Sequence, residues 1–243
     1  MNGIKTSDLF IMMILYLSCS RDSCPLSAGN LSSEIRILPA FNEIDLYGKI
    51  NVILTQDTAQ NIRVEAGKNL LAGISTNVTG GTLTIQDNNG CKLLRTDANV
   101  ANIFISTRQL QKITYYGSGN VSSTDTIRAA FFTVDCYYGS GSINLKLVAD
   151  TADAIVRTEN SDITFSGYGD FAYIYSAEAS SVNLFQYRTH TVNIISKSVR
   201  DVDVNVTDSL NASILYKGNV YYIGTPSSIQ TQISNSGQLI HMP

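Results

Sequence analysis

Asp201, Asp203 and Asn205 alternate along the chain, so an extended backbone would carry their oxygens on one side, with Asp208 close behind. Such a row could serve a calcium ion if further oxygens converged from neighbouring strands. Val202, Val204 and Val206 occupy the intervening positions, and a solvated outer face opposite an apolar inner one explains the pattern without a metal. Gly167-Tyr168-Gly169-Asp170-Phe171 echoes the calcium-binding nonapeptide, but that motif needs tandem copies and none follow. Carboxylate or acid–base catalysis requires titratable groups that converge. The chain has only 2 His, His190 and His241, and the spacing of Lys197, Arg200 and Asp201 has no catalytic meaning. The sequence therefore reads as non-enzymatic, with no metal and no cofactor expected.

The most conspicuous chemistry is aromatic. Tyr115-Tyr116-Gly117-Ser118-Gly119 returns as Tyr137-Tyr138-Gly139-Ser140-Gly141, in a chain with 13 Tyr and no Trp. Tyr115, Tyr116, Tyr137 and Tyr138 form a candidate ligand face that could stack on sugar rings or on a partner's apolar patch. Tyr173, Tyr175, Tyr221 and Tyr222 could extend it. The competing explanation is packing between stacked strands. Adjacent side chains of a strand face opposite ways, so at least one of the two ladders, Tyr115 with Tyr137 or Tyr116 with Tyr138, has to be structural. A phosphate cradle would need a helix directly after the glycines, and strand-like residues follow instead. Gly117, Gly119, Gly139 and Gly141 are expected to be corner glycines that supply positive φ at sharp turns.

The spacing of these corners indicates how the chain positions them. The glycine pairs lie 139 − 117 = 22 residues apart. A near-copy at that distance marks a coil whose turns bury their apolar faces only by stacking. Leu110 and Ile113 match Phe131 and Val134 at an offset of 21, so one extra residue must be absorbed just before Gly139, as in a bulge. Later turns keep the length and lose the glycines: Ile163 follows Ile143 by 20 residues, and Val182 follows Ile163 by 19. Val202-Asp203-Val204-Asn205-Val206 and Tyr216-Lys217-Gly218-Asn219-Val220 continue the series. An all-β, parallel β-helix or solenoid is expected. Residues 50–66 and 80–85 alternate as irregular or antiparallel strands that cap its N-terminal end, because an open end exposes unpaired backbone. A β-sandwich is the rival, but it does not call for a near-identical 22-residue repeat.

Composition sets further bounds. Of 243 residues, 44% are hydrophobic and 15% charged, and the net charge is −3 without a basic run. Nucleic acid, which is bound through clustered Lys and Arg, is therefore not an expected partner. Leu9–Leu17 is too short to span a bilayer and suits a signal peptide over residues 1–18. Ser18-Cys19 directly after it resembles a lipobox, which makes Cys19 the expected lipidation site and the membrane an expected partner. Ordinary secretion with later cleavage is the alternative. Residues 19–34 read as a tether and residues 35–243 as one domain. Cys24 falls in the tether, and Cys136 reads as a small buried hydrophobe. A Cys91–Cys136 bridge stays open in an oxidising compartment.

Phe41-Asn42-Glu43-Ile44 and Gly48-Lys49-Ile50-Asn51-Val52, the twin Gly-Ser-Gly corners, and Gly218-Asn219-Val220-Tyr221-Tyr222-Ile223-Gly224-Thr225-Pro226 occur in that order. Together they resemble the head-GIN domain family, called autotransporter adhesins, of Bacteroidetes lipoproteins and secreted proteins. The resemblance covers roughly residues 40–243. It implies a right-handed β-helical fold at the cell envelope and no established activity. The expected function is a non-catalytic adhesion or ligand-binding module for glycan or protein, on an outer-membrane lipoprotein facing the surface or the periplasm. A structural or assembly role, with the chain as a homo-oligomer, is the alternative. A β-helical polysaccharide-active enzyme ranks third.

Overall fold

The computed structural model describes residues 27–90, 100–158 and 160–243. Residues 1–18, Cys19, Cys24 and Cys91 lie outside the described residues. The strands in chain order are β1 (Leu31–Arg36), β2 (Glu43–Gly48), β3 (Ile50–Gln56), β4 (Asn61–Gly67), β5 (Ile74–Thr79) and β6 (Thr82–Asp87). There follow β7 (Ala101–Thr107), β8 (Lys112–Gly117), β9 (Asn120–Ser123), β10 (Ile127–Cys136), β11 (Ser142–Val156) and β12 (Asp162–Glu178). The last are β13 (Ser181–Ser198), β14 (Val202–Ile214), β15 (Val220–Ile223), β16 (Ser228–Ile233) and β17 (Leu239–His241). Among the described residues one 3-10 turn, Leu71–Gly73, is the sole helical piece.

The architecture is the expected β-solenoid, and the predicted offsets are its rungs. Ile143 lies opposite Ile163, Ile163 opposite Val182, Val182 opposite Val202, and Val202 opposite Val220, all in parallel register. The long strands β11 to β14 each bend in the middle. Their first halves continue the sheet of β3 and β9, and their second halves that of β2, β8 and β10. Inward positions alternate with outward ones on both sheets. Ile143, Leu145 and Leu147 face Ala152, Ala154 and Val156 across the interior, and comparable sets repeat in the next coils. The result is one continuous aliphatic core.

The N-terminal cap is antiparallel, as expected: β1 pairs with β4, β4 with β7, and β5 with β6. The first full rung, however, is β2–β3, and the chain then leaves it to build the cap. β2 lies between β6 and β8, and β3 between β7 and β9. The coil resumes on the far side of its own first rung.

One boundary differs from the sequence reading. Leu31–Glu34, placed in the tether, are strand, and Ala28 before them is fully buried. β1 is held through backbone pairing with β4 and buries no alternating side chains. An edge strand of this kind carries no apolar period to read.

Candidate functional site

The Tyr-Tyr pairs divide between the two faces of the sheet. Tyr115 points inward, is 1% exposed, and its hydroxyl donates to the Gly119 carbonyl at 2.5 Å. Burial raises its phenol pKa far above the ordinary value. This is a correction: Tyr115 is core and cannot form part of a ligand face.

Tyr115 also accounts for the second glycine corner. A Cβ at Gly139 would stand 2.5 Å from its ring, and one at Gly141 would collide with its hydroxyl and with the Gly119 carbonyl. At Gly117 and Gly119 a Cβ would strike the Gly48 and Ile50 carbonyls of the neighbouring rung. None of these four glycines has positive φ, contrary to expectation. They are needed because successive corners stack too closely for a side chain. The left-handed position is Gly48 (φ 88°), at the corner of the first rung.

Tyr116 points outward. Its ring stacks on Tyr47 at 4.6 Å and on Tyr137 at 5.2 Å between centroids, nearly parallel in both cases. The expected partners of Tyr115 and Tyr116 are thus shifted by one residue. β8 and β10 pair at an offset of 21, with Cys136 opposite Tyr115, whereas β9 and β11 pair at 22, with Ser142 opposite Asn120. Tyr138 is the extra residue, and it protrudes with 65% exposure. The predicted insertion before Gly139 is real, and Tyr138 is the residue that absorbs it.

The ladder ends in a cation. Arg157, one rung beyond Tyr137, holds its guanidinium 4.9 Å from that ring's centroid. Asp135, almost fully buried, grips the same guanidinium through Nε at 2.8 Å and Nη2 at 3.0 Å. A bidentate pair of this kind fixes both the charge and the plane of the Arg side chain. Tyr47 and Arg157 were not singled out from sequence. The Tyr47-Gly48 dipeptide, which matches Tyr116-Gly117 on the adjacent rung, was the available signal.

Beyond Arg157 the same outward column continues with Ala177 and Lys197. The drop to a small side chain opens a groove of about 770 Å³ along the corner. Tyr138, Arg157, Tyr175, Glu178, Lys197 and Tyr216 contribute to its lining. Lys197 Nζ lies 5.5 Å from the Tyr175 ring centroid and has no ion-pair partner among the described residues.

The other candidates are held one by one. Asn183 donates to Asp203 at 3.0 Å, Asp201 accepts the Asn219 amide at 2.8 Å, and Asn205 donates to the Phe185 carbonyl at 3.2 Å. Burial, and secondarily Asp201, pushes the Asp203 carboxyl up to about 6. Arg200 pairs with Asp162 rather than Asp201. His190 lies 3.6 Å from Asp170 on the surface, and His241 stacks on Tyr222. Among the described residues no three His, Cys, Asp or Glu side chains could hold a metal ion together. Cys136 is buried and free, and Cys91, its partner in the bridge left open by the sequence, lies outside the described residues.

The chain is thus a packed parallel solenoid that carries an outward aromatic ladder and an open groove along one corner. The chain belongs to the head GIN domain family, described as putative auto-transporter adhesin, whose sequence model matches residues 40–226. Among solved structures, a putative adhesin from Bacteroides fragilis is similar at 20% identity, with 90% of this chain and 100% of that one covered and a TM-score of 0.80. A putative lipid binding protein from Parabacteroides distasonis shares 21% identity, over 88% and 98% of the two chains, with a TM-score of 0.68. A putative adhesin from Parabacteroides merdae shares 17%, over 88% and 98%, with a TM-score of 0.65. At these identities the structures establish the common fold. No curated protein matches the chain.

Proposed function

We propose that this chain is a non-catalytic, envelope-anchored module for adhesion or ligand binding, tethered through a lipid on Cys19 and presented on a rigid coil. The observation that carries the reading is the outward stack Tyr47–Tyr116–Tyr137–Arg157 beside an open groove. Regularly spaced aromatic and cationic groups on a stiff scaffold gain affinity without ordering cost. The family description and the adhesin-named neighbours of like fold agree with it. A lipid-binding role, taken from the name of one neighbour, has less support, since the aliphatic cluster fills the interior of the coil. Glycan and protein arrays probed with the purified chain test the reading. Specific retention on either supports it, and background signal on both overturns it. Cys19→Ser tests the anchor: the protein leaves the membrane fraction if lipidation holds it there and stays if it does not.

A second reading rests on the other end of the coil. β16 and β17 pair on one side only among the described residues, and Ile229 and Ile233 of β16 are exposed although they continue the inward column of Leu210 and Ile214. An open edge with apolar side chains invites another strand. Head-to-head pairing of two copies would give a structural assembly. Light scattering across concentration separates the readings, because a persistent monomer removes this one.

A further inference from the structure

Four coil steps separate Tyr138 from Tyr216, a span of about 19 Å at the usual strand spacing. These two tyrosines project at the ends of the groove, with Arg157 and Lys197 two steps apart between them and Tyr175 alongside. Ala177 forms the low point of the same column. We propose that this groove binds a short linear oligosaccharide lying along the coil axis, a proposal that rests on the ligand-binding reading above and names its site and ligand class.

The lining has the two properties a pyranose chain demands at once. The protruding Tyr138 ring can cover the apolar C–H face of a sugar ring. Tyr175 and Tyr216 add aromatic walls that carry Lys197 Nζ and Lys217 Nζ at 5.5 and 5.6 Å from their centroids. Arg157, Lys197, Glu178 and Asn160 offer donors and acceptors to the hydroxyls at the sugar edges. An acyl chain would strand those charged groups without partners. A nucleic acid would meet the Glu178 carboxylate among too few cations.

One local feature points the same way. Glu178 has φ 60°, the sole non-glycine residue with positive φ among those described. Its carbonyl is pinned by the Val199 amide at 2.8 Å and by the Ser198 hydroxyl at 3.1 Å. Glu178 is exposed and contributes to the groove lining. Strain of this kind persists where the surrounding structure imposes it, and it clusters at ligand sites.

Calorimetric titration of the purified chain with cellotetraose, mannotetraose, chitotetraose and hyaluronan tetrasaccharide, chosen alongside a broad glycan array, tests the groove. At least one oligosaccharide binds, and Tyr216→Ala and Lys197→Gln each weaken it tenfold or more. Tyr168→Ala, exposed at 58% on a different part of the coil, leaves affinity unchanged. Each variant is compared at an unfolding midpoint matching the wild type, which the exposure of the replaced side chains predicts. Binding that ignores both groove variants overturns this proposal and leaves the general ligand-binding reading intact. Binding of proteins but of no glycan also overturns it, and leaves adhesion in its protein form. Silence on both arrays removes the two together.

Discussion

Tyr137 stacks on Tyr116 rather than on Tyr115, and this single pairing shows where the coil takes up its extra residue. The rung offset changes from 21 to 22 between Tyr137 and Gly139, so Tyr138 has no counterpart on the rung below. Neighbours in sequence, Tyr137 and Tyr138 therefore have different physical roles.

Tyr137→Ala loses its stack on Tyr116 and the contact with the Arg157 guanidinium, and is expected to cost about 2 kcal/mol. Tyr138→Ala, at a protruding position, should stay within about 0.5 kcal/mol of the wild type. Urea denaturation of the two variants checks the contrast, and equal losses would contradict the assignment of Tyr138 as the inserted residue.

Gly141→Ala sets a methyl against the Gly119 carbonyl and the Tyr115 hydroxyl, neither of which can yield without shifting a rung. A loss of about 3 kcal/mol is expected. Gly80, with φ 60° and open space around it, should cost only about 1 kcal/mol on replacement by Ala. Thermal unfolding separates steric from conformational need: a Gly80 variant worse than the Gly141 variant would reverse the explanation.

Asp203 makes stability fall as pH rises. Its folded carboxyl is pushed up to about 6 against an ordinary carboxylate range near 4, so the folded state prefers the protonated form. The favourable contribution is fully present below about pH 4 and is lost as pH rises through about 6. Asp203→Asn keeps an acceptor for Asn183 and removes the charge. It should stabilise the protein at pH 7.5 by about 1 kcal/mol, a figure reduced for solvent screening at this half-buried site, and have little effect at pH 4. Unfolding midpoints at the two pH values decide it.

Cys136 should be chemically silent in the folded protein. Burial pushes its thiol up to about 12, and it has no exposed surface. Iodoacetamide followed by peptide mass mapping should leave Cys136 unmodified under native conditions and alkylate it in denaturant. Rapid native labelling would mean that the corner opens.

Much of the fold was legible because a solenoid writes its geometry into the chain. Inward residues at Ile143, Ile163, Val182, Val202 and Val220 recur at near-constant spacing, since each rung must place an apolar side chain over the one below. The offset of 21 against 22 even located the insertion. Less was legible at the N-terminal end, where β2–β3 is sandwiched between later segments and β1 pairs through backbone alone.

For the candidate site the balance is different. From its residue types alone, the sequence determined that the chain would carry paired tyrosines at glycine corners and only 2 histidines, His190 and His241. Tertiary structure decided which tyrosine faces water, that Tyr47 and Arg157 complete the ladder, and that Ala177 opens a groove between two cations. Those facts depend on which residues from rungs about twenty apart come to lie side by side. One residue of slip reverses a side chain's face, and only the stacked coil fixes that register.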